Sequence, residues 1–303
     1  MQYDPIKDLL NKFISKNKHY RKLFYFFLDL FILRQWYVKK SIKKYYAQIK
    51  DTDCSPCEKK NRARKVSSKS NAKKQYCRYF DPMGLKKRVF YDAGAGFCQY
   101  SDFVLEKYPD MDVIAVDLKI DFLKSYANSS KNNKRFYYTK RDLCSRTSNV
   151  LLPAKGIRKA DIIVAIDILE HIKDDMSVLM NFYYLIKTKG YLIISTPSNF
   201  CTESGKTKEH VRPGYSASEL MQKVTAAGFK VVFWQYTYGF WGEIHWKLIM
   251  KNSIKMINLS KTFTLLLPFY LLVVFVPSLI CMCLDILLPK KHGNGLLMIA
   301  TKT

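Results

Sequence analysis

The chain has 303 residues, with 51 lysines and arginines against 25 acidic residues and a formal net charge of +26. Because 48% of the residues are hydrophobic, a wholly disordered chain is excluded, since disorder requires low hydrophobicity together with high net charge. The first 88 residues hold 24 basic and 7 acidic side chains. This imbalance predicts contact with an anionic surface, either phospholipid head groups or nucleic-acid phosphates.

Residues 1–50 predict a basic, amphipathic helical extension. Asp4 and Pro5 form a helix start, and apolar side chains recur from Ile6 to Ile14 with the spacing of one helical face. A second apolar run, Leu23 to Leu33, is too short to cross a bilayer and is followed by aromatic residues and lysines. It fits either a membrane interface or a helix packed on the body of the protein.

Residues 51–87 predict a basic linker, because they are rich in Lys, Arg, Ser and Asn. Cys54 and Cys57 have the spacing of half a zinc site, but only a lone cysteine, Cys77, follows them. We therefore expect no metal there. The chain begins with a polar stretch rather than a secretory signal, so we expect reduced thiols and a cytoplasmic protein.

Residues 88–303 predict one α/β domain, because short apolar runs alternate with helical stretches. Continuous apolar runs indicate strands buried on both faces, as in mostly parallel sheets covered by helices on each side. The predicted strands are Val89–Tyr91, Val113–Val116, Phe136–Tyr138, Ile162–Ile166, Tyr191–Ile194 and Val231–Trp234.

A glycine-containing loop, Asp92-Ala-Gly94-Ala-Gly96, follows the first of these strands. Glycine lets the backbone turn tightly and approach a ligand, and the next helix presents free N–H groups to it. Asp92 would repel a pyrophosphate but attract an ammonium, which favours S-adenosylmethionine over a dinucleotide. Asp117 ends the second strand, where a carboxylate can bind ribose hydroxyls, and Asp142 follows the third, where it can accept from an adenine amino group.

Taken together, these segments resemble the core of a class I S-adenosylmethionine-dependent methyltransferase of the methyltransferase type 11 kind. The matching segments within residues 88–234 are Asp92–Gly96, Asp117, Asp142, Asp161–Ile172 and Lys189–Pro197. The resemblance implies a Rossmann-like, seven-stranded, mostly parallel sheet with helices on both faces. Its last strand, Leu296–Thr301, would be antiparallel.

The resemblance also implies which residues bind the cofactor. Asp92, Ala93, Gly94 and Gly96 would hold the methionine end of S-adenosylmethionine, Asp117 and Leu118 the ribose, Asp142 and Leu143 the adenine, and Asp167 the wall beside the sulfonium. Cys98 stands where many members of the family carry a third glycine.

His171 and His210 are the candidate catalytic residues. The segment containing Asp167, Glu170 and His171 resembles a Glu-x-x-Glu-His motif that ligates a divalent metal in some O-methyltransferases of the family. Since Asp replaces the first glutamate, a metal and a general-base role for His171 both stay open, and we assign no metal ligands. His210 would line the substrate entrance together with Arg212 and Tyr215, and Ser216 or Ser218 would cap the next helix.

Phe263 to Leu284 is a run of 22 residues without a charge, long enough to span a membrane. Strands of the same sheet are predicted before and after it, so the run must return to the side that it left. We predict an interfacial or re-entrant helical hairpin, bent near Pro268 or Pro277, within a hydrophobic insertion at 250–290. The alternative is a helical cap over an apolar acceptor pocket.

These observations predict a methyltransferase that associates peripherally or monotopically with the inner face of the membrane. Its acceptor would be a small hydrophobic or lipid-linked molecule. One alternative is an RNA methyltransferase that uses the basic N-terminal region. A second is a membrane-bound scaffold that keeps the fold without catalysis. The sequence leaves the methylated atom and the oligomeric state open.

Overall fold

The computed structural model describes Ile14 and residues 17–52, 88–130, 133–145, 151–152, 156–157, 159–201 and 210–303. The strands are β1 (Arg88–Ala93), β2 (Met111–Asp117), β3 (Phe136–Lys140), β4 (Leu151–Leu152), β5 (Gly156–Ile157), β6 (Ala160–Ile166), β7 (Ile186–Pro197), β8 (Lys230–Thr237) and β9 (Gly295–Thr301). The helices are α1 (Lys18–Phe31), α2 (Leu33–Thr52), α3 (Gln99–Lys107), α4 (Ile120–Ser129), α5 (Asp175–Leu185), α6 (Ala217–Ala226), α7 (Phe240–Trp246), α8 (Asn252–Leu259) and α9 (Lys261–Leu287).

Residues 1–13 of the predicted extension and residues 53–87 of the predicted linker lie outside the described residues. The same holds for Cys54, Cys57 and Cys77. The division of the chain into extension, linker and domain stays a prediction.

Seven strands form one sheet in the order β3-β2-β1-β6-β7-β9-β8. The strands from β3 to β7 are parallel to their neighbours, and β9 runs antiparallel between β7 and β8. The predicted Rossmann-like sheet with an antiparallel last strand is confirmed. The strand order reverses between β1 and β6, and open α/β sheets bind their ligands beyond the carboxyl ends of the strands at such a reversal.

Helices cover both faces of the sheet. On one face, α5 and α6 pack through side chains that include Phe182 and Leu220. On the other face, α3 and α4 are joined by α2, which buries Leu33, Val38 and Ile42 in the same cluster as the sheet residues. α2 therefore packs on the body of the protein.

α1 has two different faces. Tyr25 is buried, and its hydroxyl donates to the carbonyl of Phe97 in the glycine-containing loop. Leu23, Phe26 and Phe27 are exposed. The sequence left open whether this apolar run lies at a membrane interface or packs on the body of the protein. α1 packs on the domain and also presents apolar side chains to its surroundings, so the two alternatives are compatible.

The hydrophobic insertion forms a hairpin, which we define as residues 240–287. α7 continues through a π-helical turn, Lys247–Lys251, into α8, and the chain reverses at Ser260, whose backbone is extended. α9 then returns and passes through Pro268 and Pro277 without ending. The predicted bend near a proline is wrong, because the reversal lies at Ser260. The predicted return of the chain to the sheet is observed, since β8 and β9 are neighbours.

Asp285, which is buried, anchors the base of the hairpin. Its carboxylate accepts from the backbone N–H groups of Gly239 (2.9 Å) and Gly242 (3.0 Å), at the start of α7. It also accepts from the Tyr37 hydroxyl of α2 at 2.6 Å. The Asp285 carboxylate therefore caps α7, the first helix of the hairpin, and links α7 and α9 to α2.

The far end of the hairpin projects from the domain. We call residues 252–273 the hairpin tip. α8 contains no buried residue, and Leu265 and Phe269 of α9 are 75% and 69% exposed. Within the described part of the chain, one helical stretch, Leu265–Leu287, has the length and mean hydropathy (2.5) to cross a membrane. In its second half Val274, Ser278 and Met282 are buried; Ser278 contacts His245 of α7, and Met282 belongs to the apolar cluster of α2 and the sheet.

Candidate functional site

The glycine-containing loop folds over the end of β2. The backbone N–H groups of Gly94 and Ala95 donate to the carbonyl of Val116 at 2.8 and 3.0 Å. Gly94 has a φ of +68°, and a Cβ atom at this position would collide with the side chain of Ile168. The loop needs glycine here for its backbone conformation and for the close approach of the β6 end.

Cys98 occupies the position of the third glycine and adopts the left-handed conformation, with a φ of 60°. Its carbonyl accepts from the N–H of Asp102 in the first turn of α3. The backbone shape expected of a glycine is thus kept by a cysteine, at the cost of local strain.

Asp117 is held at the end of β2 by backbone groups. One carboxylate oxygen accepts from the N–H of Gly96 at 2.9 Å and the other from the N–H of Lys119 at 2.8 Å. Each carboxylate oxygen has a second lone pair. The side chain is therefore fixed in place and still able to accept further hydrogen bonds.

Asp92, at the end of β1, is buried, and the hydroxyl of Ser101 donates to it at 2.6 Å. Burial, aided by the nearby negative charge of Asp117 and opposed by the hydrogen bonds from Ser101, raises the pKa of this carboxyl to about 7. A cationic group placed beside Asp92 would favour the ionised carboxylate.

Asp142 and Asp167 complete the acidic residues at the strand ends. Asp142 follows β3, and its carboxylate accepts from the N–H of Cys144 at 2.9 Å. Asp167 follows β6 and has a φ of 49°. Because the carboxyl ends of parallel strands lie at one edge of a sheet, the four aspartates at 92, 117, 142 and 167 follow neighbouring strands at that edge.

Arg34 of α2 is a site residue that sequence reasoning missed. Its guanidinium forms an ion pair with the carboxylate of Asp167, and its backbone N–H donates to the Tyr238 hydroxyl at 3.0 Å. The only signal in the sequence is a single arginine at the end of an apolar run, which does not indicate a partner at the end of β6.

A cavity of about 510 Å³ lies beside Asp167. Its walls come from α2, the ends of β7 and β8, the start of β9 and the hairpin. The lining residues are Arg34, Asp167, Ser195, Thr196, Pro197, Cys201, Thr237, Tyr238, Glu243, Trp246, Lys247, Lys251, Asn294 and Gly295. Tyr238 and Asp167 both have a positive φ, and such strain in non-glycine residues clusters at functional sites.

Glu170, His171 and His210 form a compact group behind the cavity wall. Their ligand atoms lie within 4.8 Å of one another, and the two imidazole rings meet edge to face at 4.6 Å. Glu170 is buried, burial raises its pKa, and it accepts from the hydroxyl of the cavity residue Thr196 at 3.1 Å. Neither histidine is among the described residues that line the cavity.

The sequence pointed to Asp167, Glu170 and His171 as a possible metal-binding group. In the structure His210 takes the place of Asp167, which pairs with Arg34 instead. The N–H of Val211 donates to the carbonyl of Glu170 at 2.9 Å, which holds the neighbouring His210 in place. One carboxylate and two imidazoles suit a divalent transition metal such as Zn²⁺ or Mn²⁺.

Of the residues expected at the substrate entrance beside His210, Tyr215 is fully buried, and Arg212 remains a prediction. The Tyr215 side chain is buried and its hydroxyl donates to the carboxylate of Asp175 at 2.7 Å. Arg212 forms an ion pair with the same carboxylate. Ser216 caps α6 by accepting from the N–H of Glu219 at 3.1 Å, as predicted.

Residues 91–192 match the family model described as "Methyltransferase domain". No curated protein matches the chain. Among solved structures, the chain is similar to phosphoethanolamine N-methyltransferase 2 from Haemonchus contortus, with 15% sequence identity, coverage of 72% of this chain and 49% of that chain, and a TM-score of 0.47. It is also similar to a SAM dependent methyltransferase from Archaeoglobus fulgidus, with 17% identity, coverage of 73% and 89%, and a TM-score of 0.44.

The sheet order and the family match define an α/β protein with a methyltransferase domain. The family match covers residues 91–192, about a third of the chain, and supports S-adenosylmethionine as the cofactor of this methyltransferase domain.

Proposed function

We propose that this protein transfers a methyl group from S-adenosylmethionine to a small hydrophobic or lipid-linked acceptor at a membrane surface. The donor half of this proposal is the binding of S-adenosylmethionine. It rests on the set of aspartates at neighbouring strand ends around the glycine-containing loop. Asp117, fixed by two backbone N–H groups, keeps lone pairs for the ribose hydroxyls. The buried Asp92 pairs with the methionine ammonium, and Asp142 accepts from the adenine.

The remaining predicted residues complete the cofactor site in this proposal. Ala93, Gly94 and Gly96 offer the close backbone approach that the methionine end needs. Leu118 and Leu143 follow the ends of β2 and β3 and pack against the nucleoside. Asp167 marks the position of the sulfonium, next to the cavity.

Methyl transfer from a sulfonium requires alignment and exclusion of water more than covalent help from the enzyme. The cavity beside Asp167 supplies an acceptor position, and the walls from α2 and the hairpin shield it. A base is needed only when the attacking atom must lose a proton. The acceptor therefore decides whether the protein uses one.

His171 and His210 are the proposed general bases for a hydroxyl acceptor, and because neither lines the cavity, the proton would reach them through the Thr196 hydroxyl and Glu170. Thr196 lines the cavity and contacts Glu170, so the histidines lie one side chain behind the wall. A divalent metal on Glu170, His171 and His210 is the second use that this geometry supports. Electron paramagnetic resonance of added Mn²⁺ separates the two, because a metal site gives a bound signal that His210→Ala removes.

The membrane half of the proposal rests on the hairpin tip and α1. Both present large apolar side chains to their surroundings, among them Phe26, Leu265 and Phe269. The chain carries a formal charge of +26, which complements anionic lipid head groups at the cytoplasmic face. Because the hairpin returns to the sheet, it enters the interface from one side rather than crossing as a single span.

Isothermal titration of the full chain with S-adenosylmethionine tests the donor half. We expect binding by the wild type, and a loss of at least about tenfold in affinity for Asp117→Ala, because a fixed pair of charged acceptors is removed. Asp121→Ala, an exposed change on α4, serves as the matched control. A folded wild type that does not bind the cofactor would overturn the donor half and favour a non-catalytic scaffold.

RNA methylation is the alternative that the basic N-terminal third keeps open. Gel shifts with RNA at two salt concentrations test it, since phosphate contacts weaken steeply as salt rises. Salt-sensitive RNA binding without vesicle binding would replace the lipid-linked acceptor by RNA.

A further inference from the structure

The floor of the cavity is the face of the sheet that α2 covers. Ser195 of β7 and Thr237 of β8 lie on either side of β9, opposite Leu297 and Gly295 respectively. Opposite residues share a face of the sheet, and so do residues two positions apart on one strand. Because Leu297 belongs to the apolar cluster of α2, Ser195 and Thr237 both face α2, and both line the cavity.

The hydroxyls of Ser195 and Thr237 are available to a ligand. The two residues are only 5% and 3% exposed, yet neither side chain forms a hydrogen bond with another residue that the structure describes. Gly295 leaves open space beside them, because a Cβ atom there would lie 2.3 Å from the Thr237 Oγ1. Since a buried hydroxyl without a hydrogen bond is costly, a ligand in the cavity that supplies one is favoured.

Two further neutral polar groups line the cavity beside these hydroxyls. Asn294 directly precedes β9, and its carboxamide has no hydrogen-bond partner among the described residues. The Tyr238 hydroxyl accepts from the backbone N–H of Arg34 at 3.0 Å and keeps its own hydrogen to donate. The cavity thus offers hydroxyl and amide groups, which both donate and accept.

The charged side chains of the cavity are already engaged. Arg34 forms an ion pair with Asp167, and Lys247 forms one with Glu243 at 2.8 Å. Lys251 is exposed to solvent and has a contact of its own. A charged head group would have to displace these contacts, whereas a neutral one meets the hydroxyls and the amide directly.

The hairpin adds an aromatic ring to these polar groups. Trp246 of α7 lines the cavity, and an indole offers a broad apolar face. A sugar ring has an apolar face of C–H groups and a rim of hydroxyls, so it matches an indole that is combined with hydroxyl and amide groups. From Trp246 the chain continues into the hairpin tip, where Ile254, Leu265 and Phe269 are exposed.

We propose that the acceptor carries a neutral, hydroxyl-rich ring of the sugar class on an apolar chain. Ser195, Thr237 and Asn294 hydrogen-bond its hydroxyls, Trp246 packs on its C–H face, and the apolar chain runs along the hairpin tip. One ring oxygen forms a bond to the methyl group as the methyl–sulfur bond breaks, which leaves the neutral thioether of S-adenosylhomocysteine, and the hydroxyl proton leaves through Thr196. This inference rests on the proposed function, of which it specifies the acceptor class.

Isothermal titration of the full chain with octyl glycosides tests this inference without any methyl transfer. The probes are the octyl glycosides of glucose, galactose and mannose, each below its micelle concentration. Octyl phosphate carries the same chain with a charged head group, and 1-octanol carries it with a single hydroxyl. The methyl glycosides of the three sugars carry the ring without the chain.

Two variants remove the proposed contacts. Thr237→Val removes the hydroxyl and keeps the shape of the side chain, and Trp246→Ala removes the indole. The matched controls lie outside the cavity lining: Thr225→Val, exposed on α6, and Trp234→Ala, exposed on β8. Titration of each variant with S-adenosylmethionine shows whether its cofactor site is still folded.

We expect at least one octyl glycoside to bind at least about tenfold more tightly than octyl phosphate and octanol. Thr237→Val should weaken that binding about fivefold and Trp246→Ala at least about tenfold, with both controls unchanged. No preference for any glycoside over octanol, or full affinity in both cavity variants, would overturn the sugar site. Tighter binding of octyl phosphate would overturn the neutral head group, and equal affinity for methyl and octyl glycosides would overturn the apolar chain.

Titration of the wild type with S-adenosylmethionine separates this inference from the proposed function. Cofactor binding that persists while no glycoside binds removes only the sugar-bearing acceptor. Absence of cofactor binding in the wild type removes the proposed function itself.

Discussion

Arg34 of α2 forms an ion pair with Asp167 at the end of β6. The pair joins the N-terminal helices to the strand end where the sulfonium is proposed to lie. Both side chains are about one-third exposed (29% and 32%), so solvent screens the interaction and limits its contribution to stability.

Arg34→Ala should lower the free energy of unfolding by about 1 kcal/mol, because the ion pair and its anchoring of α2 are lost. Arg34→Lys should lose less, since it keeps the charge without the planar guanidinium. Urea unfolding measures both changes. Lys50→Ala, exposed near the end of the same helix, is the control and should stay within about 0.5 kcal/mol of the wild type. An equal loss in Lys50→Ala would mean that the pair has no specific role.

Cofactor binding should release a proton through Asp92. Burial raises the pKa of this carboxyl to about 7, so at pH 6.5 a large fraction is protonated, and the cofactor ammonium favours the ionised form. Affinity should therefore rise with pH between about 6 and 8. Titrations at pH 6.5 in buffers of different ionisation enthalpy count the released protons. Asp92→Asn keeps an acceptor for Ser101 and should abolish the release. The same proton count in this variant would assign the release to another group.

Asp92 should also make the stability of the cofactor-free protein depend on pH. The trend is opposite to that of cofactor affinity, because this contribution to stability falls as the pH rises. The folded-state pKa lies above that of an unfolded aspartate, so the folded state binds more protons between about pH 4 and 7. The contribution of this group to stability thus falls as the pH rises through that window and stays low above it. Thermal unfolding at pH 5 and pH 8 should show a smaller difference for Asp92→Asn than for the wild type. An unchanged difference would show that Asp92 titrates normally.

Introducing acidic residues at the hairpin tip should weaken membrane binding. Leu265 and Phe269 are 75% and 69% exposed, and each would bury apolar area in the lipid interface worth about 1 kcal/mol or more. Combined Leu265→Glu and Phe269→Glu should weaken co-sedimentation with vesicles of phosphatidylcholine and phosphatidylglycerol by at least about tenfold. Tyr184→Glu, at an exposed aromatic residue on α5, is the control. Unchanged sedimentation of the double variant would favour the alternative in which the hairpin only caps the site.

Asp285 should be one of the most sensitive positions for stability. Asp285→Ala leaves the N–H groups of Gly239 and Gly242 and the hydroxyl of Tyr37 without this acceptor, which should cost about 3 kcal/mol or more. Asp285→Asn keeps one acceptor oxygen and should cost less. Urea unfolding gives the free energies, and limited proteolysis reports release of the hairpin. If proteolysis leaves the hairpin intact in Asp285→Ala, the residue does not anchor it.

Much of the sheet could be predicted from the sequence for local reasons. Strands β1, β2, β6 and β9 are short, mainly apolar runs buried along nearly their whole length, a pattern carried by neighbouring residues, whereas the edge strands β3 and β8 are partly exposed. The positions of Asp92 and Asp117 follow from it, since each comes directly after such a run, and Asp142 lies four residues beyond the run Phe136–Tyr138 of β3. Their roles toward the cofactor stay predictions.

The hairpin shows where local signals fail. Proline predicts a break in a helix, yet α9 continues through Pro268 and Pro277, and the chain reverses at Ser260 instead. The reversal depends on how α9 packs back against α7, with Asp285 tying their bases. That packing involves residues more than forty positions apart, which no short sequence window contains.

The sequence by itself therefore determined the class of sheet, the glycine-containing loop and the acids at the strand ends, because periodicity and adjacency encode them. Tertiary structure alone decided that Arg34 meets Asp167, that His210 rather than Asp167 joins Glu170 and His171, and that two lysines of the hairpin face the cavity. Those relationships arise from the packing of separate segments on one sheet, and their physical origin is long-range burial and charge pairing rather than local pattern.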